Sequence, residues 1–594
     1  MVCHLLRQEL CACRLLRKVF FLSIMVLLLD FAATASLRAQ SGAQPQNYTK
    51  QIEPPQTDNL EEMPPDIEIA PIQDETEEQP AAENPATPVM VDAGSAEAQK
   101  SAEKIFIRQM VVADGDEQTQ ATVARIVAPY LNRQLTMKEI SEAAAKVTRY
   151  YKKHGYLVAK TIVPKQDAGQ GVLTLNLILG AYGDFIVKNH SKLRDSVVKG
   201  AFESMKNSSP DIRSQSLERT MLLLREMPGG AMPSVALQPG KAPGTADMQI
   251  NIENSANRYQ GYLLGDNEGS RYTGRKRLYG ALNINSPLGI GDRISLTGMM
   301  SEGRDLHNLR FGYSLPLLSN GLRFEIAASR TRYALNGGEY STLDASGSAS
   351  SIEGTFSYPI FRRRDSDFDL SLNIAHRDLH DNLNAVDILN PRTADVGSGT
   401  LQRTKFSTLL GHRFYTSTGA TITVGEINEE NATEAASTGT DGDYEKIDVN
   451  LMGETSIFRG LSVRATGVMQ KDLRVKPLDN SEELFISGSG GVRAFSEGMG
   501  GDNGYIFNLE LPYTLPNLGH ARLQHSLSAF FDSGGLRAEK NGDSSTDFVL
   551  NDAGGGYSAT YYPLFFKVQG VRILGSIHNE TDKTRAWFQL GFIF

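Results

Sequence analysis

The last 336 residues alternate between apolar and polar side chains, and this two-residue period constrains the fold more than any other feature. Between Tyr259 and Phe594 helical periodicity is almost absent, and clusters of Gly, Asn, Asp and Ser separate the alternating segments. In one segment the apolar positions are Phe368, Leu370, Leu372 and Ile374, and the polar ones are Asp367, Asp369, Ser371 and Asn373. Successive side chains of a β-strand point to opposite faces, so the pattern predicts many strands with one apolar and one polar face.

Two architectures alternate in this way, a soluble β-sandwich and a transmembrane β-barrel. A bundle of transmembrane helices is excluded, because no apolar run of about 18 residues follows the N-terminus. At roughly 20 residues for each strand and its connection, residues 257–594 suffice for about 16 strands. A closed barrel leaves no unpaired strand edge in lipid. The predicted fold class is therefore mainly β, with a transmembrane β-barrel of about 16 strands and a polar, wet interior.

The first 39 residues have the order of a secretory signal. Arg14, Arg17 and Lys18 precede the apolar run 19–29, and small residues follow at 33–35. A permanent membrane anchor is the alternative, but the apolar core is several residues too short for one. We therefore expect residues 1–39 to be a cleaved signal peptide.

All three cysteines, Cys3, Cys11 and Cys13, lie within this signal. Its removal leaves a chain without a thiol, which excludes disulfides, thiolate metal sites and cysteine nucleophiles. Residues 41–100 then hold nine prolines and thirteen acidic residues against two basic ones. This stretch alone carries a net charge of −11. The whole chain carries −9, so the net charge of the other 534 residues is +2. We predict a disordered linker at 40–103; a tether or plug inside it is the alternative.

Two small α/β domains are predicted next, at 104–182 and 183–256. The first has the order β-α-α-β-β, with Thr136 and Glu139 as a capping box and Gly155 at a helix end. Its first strand is expected at 104–113, its helices at 121–131 and from Thr136 to Gly155, and its last strands at 156–163 and 172–179. The same order recurs after residue 183, which indicates a tandem of one unit.

The first domain resembles the polypeptide-transport-associated (POTRA) domain of two-partner secretion transporters. The resemblance lies in Arg149-Tyr150, His154-Gly155-Tyr156, Pro164-Lys165-Gln166 and Gly171 before an alternating strand. An unrelated α/β fold is the alternative. Residues 265–292 likewise resemble the first barrel hairpin of these transporters, with Pro287 setting a turn and Gly289 and Gly291 permitting positive φ.

A second resemblance concerns a loop near residue 493. The residues Gly491, Val492, Arg493, Ala494 and Phe495 resemble the loop-six signature VRG[FY] of the Omp85 superfamily. The matching strand motif F-x-D-x-G has its counterpart in Phe530, Asp532 and Gly534. The resemblance implies a loop folded back into the barrel and an Arg493–Asp532 latch; a solvated Arg493 is the alternative. Ala494 departs from the family's Gly and would be strained if that position needs positive φ.

The last strand ends the chain on an aromatic residue. Its apolar face is formed by Phe588, Leu590, Phe592 and Phe594. This arrangement resembles the terminal strand by which outer-membrane barrels are recognised for assembly. A chance apolar C-terminus is the alternative.

The resemblance implies a function in protein export. The expected protein is an outer-membrane translocation pore of a Gram-negative bacterium that binds a secreted exoprotein through two periplasmic POTRA domains. Its other expected partners are outer-membrane lipid and the barrel assembly machinery, with no nucleic acid. No hydrolase, P-loop or zinc motif occurs, so we expect no enzyme, cofactor or metal. The alternatives are an Omp85-type insertase for other barrels, and a passive porin.

Overall fold

A computed structural model describes residues 69–70, 104–253, 257–409, 411–474, 476–496, 498–516, 523–540, 543–576, 580 and 582–594. The predicted signal peptide at 1–39 lies outside these residues, and so does the predicted linker at 40–103 apart from Ile69–Ala70. The described chain forms two compact units, one of α/β modules and one that begins near residue 256. Within the described ranges no helix is long and apolar enough to cross a lipid bilayer.

The first module has the predicted β-α-α-β-β order. Its elements are β2 (Ile105–Ile107), β3 (Gln109–Val112), α1 (Glu117–Val127), β4 (Arg133–Leu135), α2 (Met137–Lys153), β5 (Ala159–Ile162) and β6 (Val172–Leu179). In the three-stranded sheet β6 lies between β3 and β5, and β2 pairs with β4. The capping box of Thr136 and Glu139 begins α2, as predicted, and Gly155 follows its end with a φ of 91°.

Two predicted strand bounds of this module are wrong. The strand expected at 104–113 divides at Arg108, because Arg108 and Gln109 both donate their backbone N–H to Gly171 O, at 2.7 and 3.1 Å. The strand expected at 156–163 begins only at Ala159, because Leu157 N donates instead to Ile212 O at 3.0 Å. Both changes arise from contacts between distant segments, which local propensity does not contain.

The second module repeats the order of the first. Its elements are β7 (Ala181–Asn189), α3 (Asp195–Ser208), α4 (Ser214–Glu226), β8 (Pro233–Pro239) and β9 (Thr245–Ile252). The sheet has the order β1-β8-β9-β7, in which β1 (Ile69–Ala70) pairs parallel with β8.

The His154-Gly155-Tyr156 motif lies where the two modules join. Ser214 N donates to Gly155 O at 2.8 Å, and Ile212 N donates to Gly180 O at 2.9 Å. The Arg213 guanidinium lies 4.5 Å from the centre of the Tyr156 ring. These contacts give the motif a structural role, the joining of the modules.

Sixteen antiparallel strands form a closed barrel, as predicted. The strands are β10 (Tyr259–Asp266), β11 (Arg277–Asn285), β12 (Arg293–Ser301), β13 (Leu306–Pro316), β14 (Arg323–Ala334), β15 (Ala345–Arg362), β16 (Ser366–Leu383), β17 (Ile388–Leu409), β18 (His412–Glu429), β19 (Gly442–Phe458), β20 (Leu461–Asp472), β23 (Asn503–Thr514), β24 (Leu523–Lys540), β25 (Asp543–Tyr561), β26 (Leu564–Ile573) and β27 (Thr584–Ile593). A short helix, α5 (Ala432–Thr438), connects β18 to β19. The barrel closes where β10 pairs with β27, from Tyr262 opposite Ile593 to Asp266 opposite Gln589.

The barrel is apolar outside and polar inside. Ile352 and Ile374 are 63% and 60% exposed, whereas Lys446 and Glu454 are fully buried. A soluble sandwich would bury its apolar face and expose its charges, so this distribution excludes that architecture. It is the distribution of a barrel whose outer face contacts lipid.

We predict that Ile374→Arg destabilises the barrel by about 2–4 kcal/mol, because the charge would enter the lipid-facing surface. The neighbouring change Asn373→Arg, on the inner face, should cost much less. Urea-induced unfolding of both variants in lipid vesicles measures the difference. Equal losses would show that the outer face does not contact hydrocarbon.

Candidate functional site

Residues 473–502, here called loop six, connect β20 to β23, and those that the structure describes are folded against the inner wall. Two short strands, β21 (Leu484–Phe485) and β22 (Gly500–Gly501), pair within the loop. The apolar side chains of the loop that lie fully buried are Leu484, Ile486, Val492 and Phe495. They form a cluster with wall residues that include Phe530, Leu550 and Trp587. An apolar contact therefore supports the loop in an otherwise polar interior.

Arg493 of loop six meets Asp532 of β24. Arg493 Nε donates to Asp532 Oδ2 at 2.8 Å, and Nη2 donates to Oδ1 at 3.0 Å. The guanidinium carbon also lies 3.7 Å from the centre of the Phe530 ring. Asp532 is fully buried and Arg493 is 8% exposed. A guanidinium and a carboxylate that share two hydrogen bonds fix both position and orientation.

Three further residues, beyond the latch pair itself, hold the same segment. Asn508 Nδ2 donates to Asp532 Oδ1 at 2.9 Å and to Gly491 O at 3.0 Å. Ala494 N donates to Asp552 Oδ2 at 2.6 Å. Trp587 Nε1 donates to the carbonyl of Arg493 at 3.0 Å. The one available sequence signal was that Trp587 is the single tryptophan of the chain.

The packing of loop six against β24 requires glycine at two positions, Gly491 and Gly534. A Cβ at Gly491 would lie 2.2 Å from Ile486 O, and one at Gly534 would lie 2.9 Å from Val492 Cγ2. Ala494 is buried, and its backbone lies outside the left-handed region. The replacement of the family's glycine by Ala494 therefore causes no backbone strain of the kind considered above.

The first hairpin contains a second buried ion pair. Arg277 donates from Nε to Asp266 Oδ1 at 2.9 Å and from Nη2 to Oδ2 at 3.2 Å. At the other end of β11, in the turn to β12, Gly289 and Gly291 have φ of 74° and 82°, as predicted. The pair fixes the ends of β10 and β11 beside the seam of the barrel.

The predicted assembly face lies on the outside of β27. Phe588, Leu590, Phe592 and Phe594 are between 41% and 49% exposed. Near the end of the seam, Phe588 N donates to Asn267 Oδ1 at 2.7 Å. Among the described residues, no cluster of three or more His, Cys, Asp or Glu could hold a metal ion.

The sequence matches two known families. Residues 244–559 match the haemolysin secretion/activation protein family ShlB/FhaC/HecB, and residues 105–180 match the ShlB-type POTRA domain. The chain belongs to the ShlB/FhaC/HecB family. It is thus a two-partner secretion transporter of the Omp85 superfamily, located in the outer membrane.

Curated relatives agree with this assignment, and a solved structure shares the fold. The heme/hemopexin transporter protein HuxB of Haemophilus influenzae (strain 86-028NP) is 27% identical over 509 residues, covering 82% of this chain and 87% of the relative. The outer membrane transporter CdiB of Escherichia coli O6:K15:H31 is 24% identical over 478 residues, covering 76% of each chain. A structure of CdiB from Escherichia coli shares the fold with a TM-score of 0.69 at 20% identity, covering 84% of this chain and 93% of that chain.

We predict that Asp532→Asn releases the tip of loop six, because Arg493 would remain as a buried charge without its partner, at a cost of about 3–5 kcal/mol. A cysteine introduced by Val492→Cys, at a fully buried position, should then react much faster with a maleimide. Asp547→Asn is the control, because the Asp547 side chain is 72% exposed and 4.0 Å from Arg537. Equal reaction rates in both variants would contradict the prediction.

A second prediction concerns Glu483 of loop six. Its burial, together with the carboxylates of Asp502 and Asp479, raises the pKa of Glu483 to about 7. Ionisation of Glu483 therefore destabilises the folded loop, by an amount that grows from about pH 5 and becomes constant above about pH 7. Glu483→Gln should raise the melting temperature more at about pH 8 than at about pH 5. The exposed Glu430→Gln serves as control, and a gain independent of pH would contradict the prediction.

Proposed function

We propose that this transporter exports one secreted exoprotein, in unfolded form, from the periplasm through the barrel. The observation that carries the proposal is a closed barrel with a polar interior and a loop fastened inside it. An unfolded chain would meet partly exposed charged groups such as Arg310 and Glu325 along the wall, rather than apolar surface on which it could adhere. No nucleotide is expected in the periplasm, so folding of the exoprotein outside the cell would drive export.

Recognition is proposed to occur by strand addition to the α/β modules. Backbone hydrogen bonds to a sheet edge require little sequence specificity. In the sheet order of the modules, β5 and β7 are terminal strands. Ile162 on β5 and Ile186 on β7 are 38% and 48% exposed and would contact apolar side chains of the added strand. The second module, predicted at residues 183–256 and formed by β7 to β9, is proposed to act as a second POTRA domain because it repeats the order of the first.

The Arg493–Asp532 pair is proposed to be the latch of loop six. While it is closed, the loop occupies part of the lumen, and release of the pair would free the tip of the loop as one step towards a wider pore. The motif residues Gly491, Val492 and Phe495 would shape the tip that the latch holds. We propose no catalytic role or cofactor for these groups.

The outer face and the last strand are proposed to serve biogenesis. Outer-membrane lipid would contact the apolar outer face, and the barrel assembly machinery would recognise the exposed face of β27. An Omp85-type insertase would share the barrel and the latch. The match to a secretion family, together with the two modules found among the described residues, favours secretion over insertion.

The decisive test is a paired proteome comparison of a deletion strain and its parent, with supernatant and outer membrane both profiled. We expect one large protein to disappear from the supernatant while the outer membrane stays unchanged. The parental gene should restore this protein to the supernatant. The gene carrying Asp532→Asn should restore it in an amount that differs from the parental amount. Broad depletion of β-barrels from the outer membrane, with no missing exoprotein, would overturn the proposal in favour of the insertase.

A further inference from the structure

Loop six is fastened to the wall at a second place, which no motif indicated. Glu482, early in the loop, pairs with Arg377 of β16 and with Lys446 of β19, whose Nζ lies 3.0 Å from Glu482 Oε2. Asp479 pairs with Arg392 of β17, where Nε donates to Asp479 Oδ2 at 2.6 Å. Three neighbouring regions of the wall thus present cations to two carboxylates of the loop.

The backbone of Glu482 is held as firmly as its side chain. Lys446 Nζ donates to Glu482 O at 2.7 Å, and Gln470 Nε2 donates to the same carbonyl at 3.0 Å. Gln470 also donates to Asp502 O at 3.1 Å, which joins the start of the loop to its end. Lys446 and Glu482 are fully buried, and Arg377 is 7% exposed. Removing one partner would leave a buried charge uncompensated.

This second anchor shares no residue with the Arg493–Asp532 pair. The contacts made by Arg493, Ala494 and Asp532 lie on β23, β24, β25 and β27, whereas the contacts made by Glu482 lie on β16, β19 and β20. The charges are also reversed, because the loop supplies the cation at one anchor and the anion at the other. Sites without common partners contribute nearly independently to the free energy of an arrangement.

We propose that Glu482 is a positioning residue that holds the first limb of loop six, residues 476–485, against β16 and β19 independently of Arg493. The loop would then leave the lumen only when both anchors release. The consequence for the pore rests on the proposed function, while the independence of the two anchors does not.

Local reactivity tests this independence in the full-length protein. Leu484→Cys reports on the first limb and Val492→Cys on the tip, since both native side chains are fully buried. Glu482→Gln should accelerate maleimide labelling at position 484 by about 100-fold and leave position 492 nearly unchanged. Asp532→Asn should produce the opposite pattern. Acceleration of both positions by either change, or of neither by Glu482→Gln, would overturn the proposal.

Two further variants separate anchoring from folding. Glu482→Asp keeps a carboxylate beside Arg377 and Lys446 and should keep labelling at position 484 much closer to the parental rate than Glu482→Gln does. Glu445→Gln is the matched control, because Glu445 pairs with Arg474 at 2.7 Å at a partly exposed place. If neither Glu482→Gln nor Glu482→Asp gives a folded barrel, Glu482 is required for folding and the proposal fails.

The effect on the pore is read from single-channel currents in planar bilayers. Each single change, Glu482→Gln or Asp532→Asn, should leave the large open state rare, and their combination should increase its occupancy by about the product of the single effects. If labelling follows the expected pattern but the currents do not change, loop six does not guard the pore, and the proposed function fails while the two anchors stand. A single change that opens the pore fully would show that one anchor suffices, which would overturn the inference.

Discussion

A chain in hydrocarbon must satisfy every backbone hydrogen bond within itself, and the pairing of β10 with β27 meets that requirement here. The seam has five register pairs and is extended by Asn267, whose side chain bonds to the backbone of Phe588. Without this pairing, β10 and β27 would expose unpaired backbone donors and acceptors to lipid. The inside of the barrel exists as a separate polar compartment only because the wall is closed.

Closure also decides where the charges go. Alternate residues of each strand must be apolar towards lipid, so charged residues of the strands face inward. There the ion pairs Arg493–Asp532 and Lys446–Glu482 are removed from bulk water. Loss of either partner would leave a buried charge uncompensated. The buried ion pairs that hold loop six therefore follow from the same two-residue period that identifies the wall.

Much of this fold was predictable because its signals are local. The strand period and the length gave the number of strands, and the capping box gave the start of α2. The motifs named Arg493 and Asp532, which the structure joins at 2.8 Å, although their function as a latch stays a prediction. The strand bounds near Arg108 and Tyr156 failed, since partners far along the chain decide them. Asn508, Asp552 and Trp587 were missed for the same reason, because only the register of the strands brings them to loop six.

The second anchor shows what motif reasoning leaves out. Loop six has no period from which the direction of a side chain can be inferred, so Glu482 reads in the sequence as one more surface carboxylate. Its burial becomes visible only when Arg377, Lys446 and Gln470, from three separate strands, converge on it. The two hydrogen bonds between Arg493 and Asp532 alone would restrain the tip of the loop but leave its first limb free to move. Cations on the opposite side restrain that limb, and the two contacts together define one position for the whole loop.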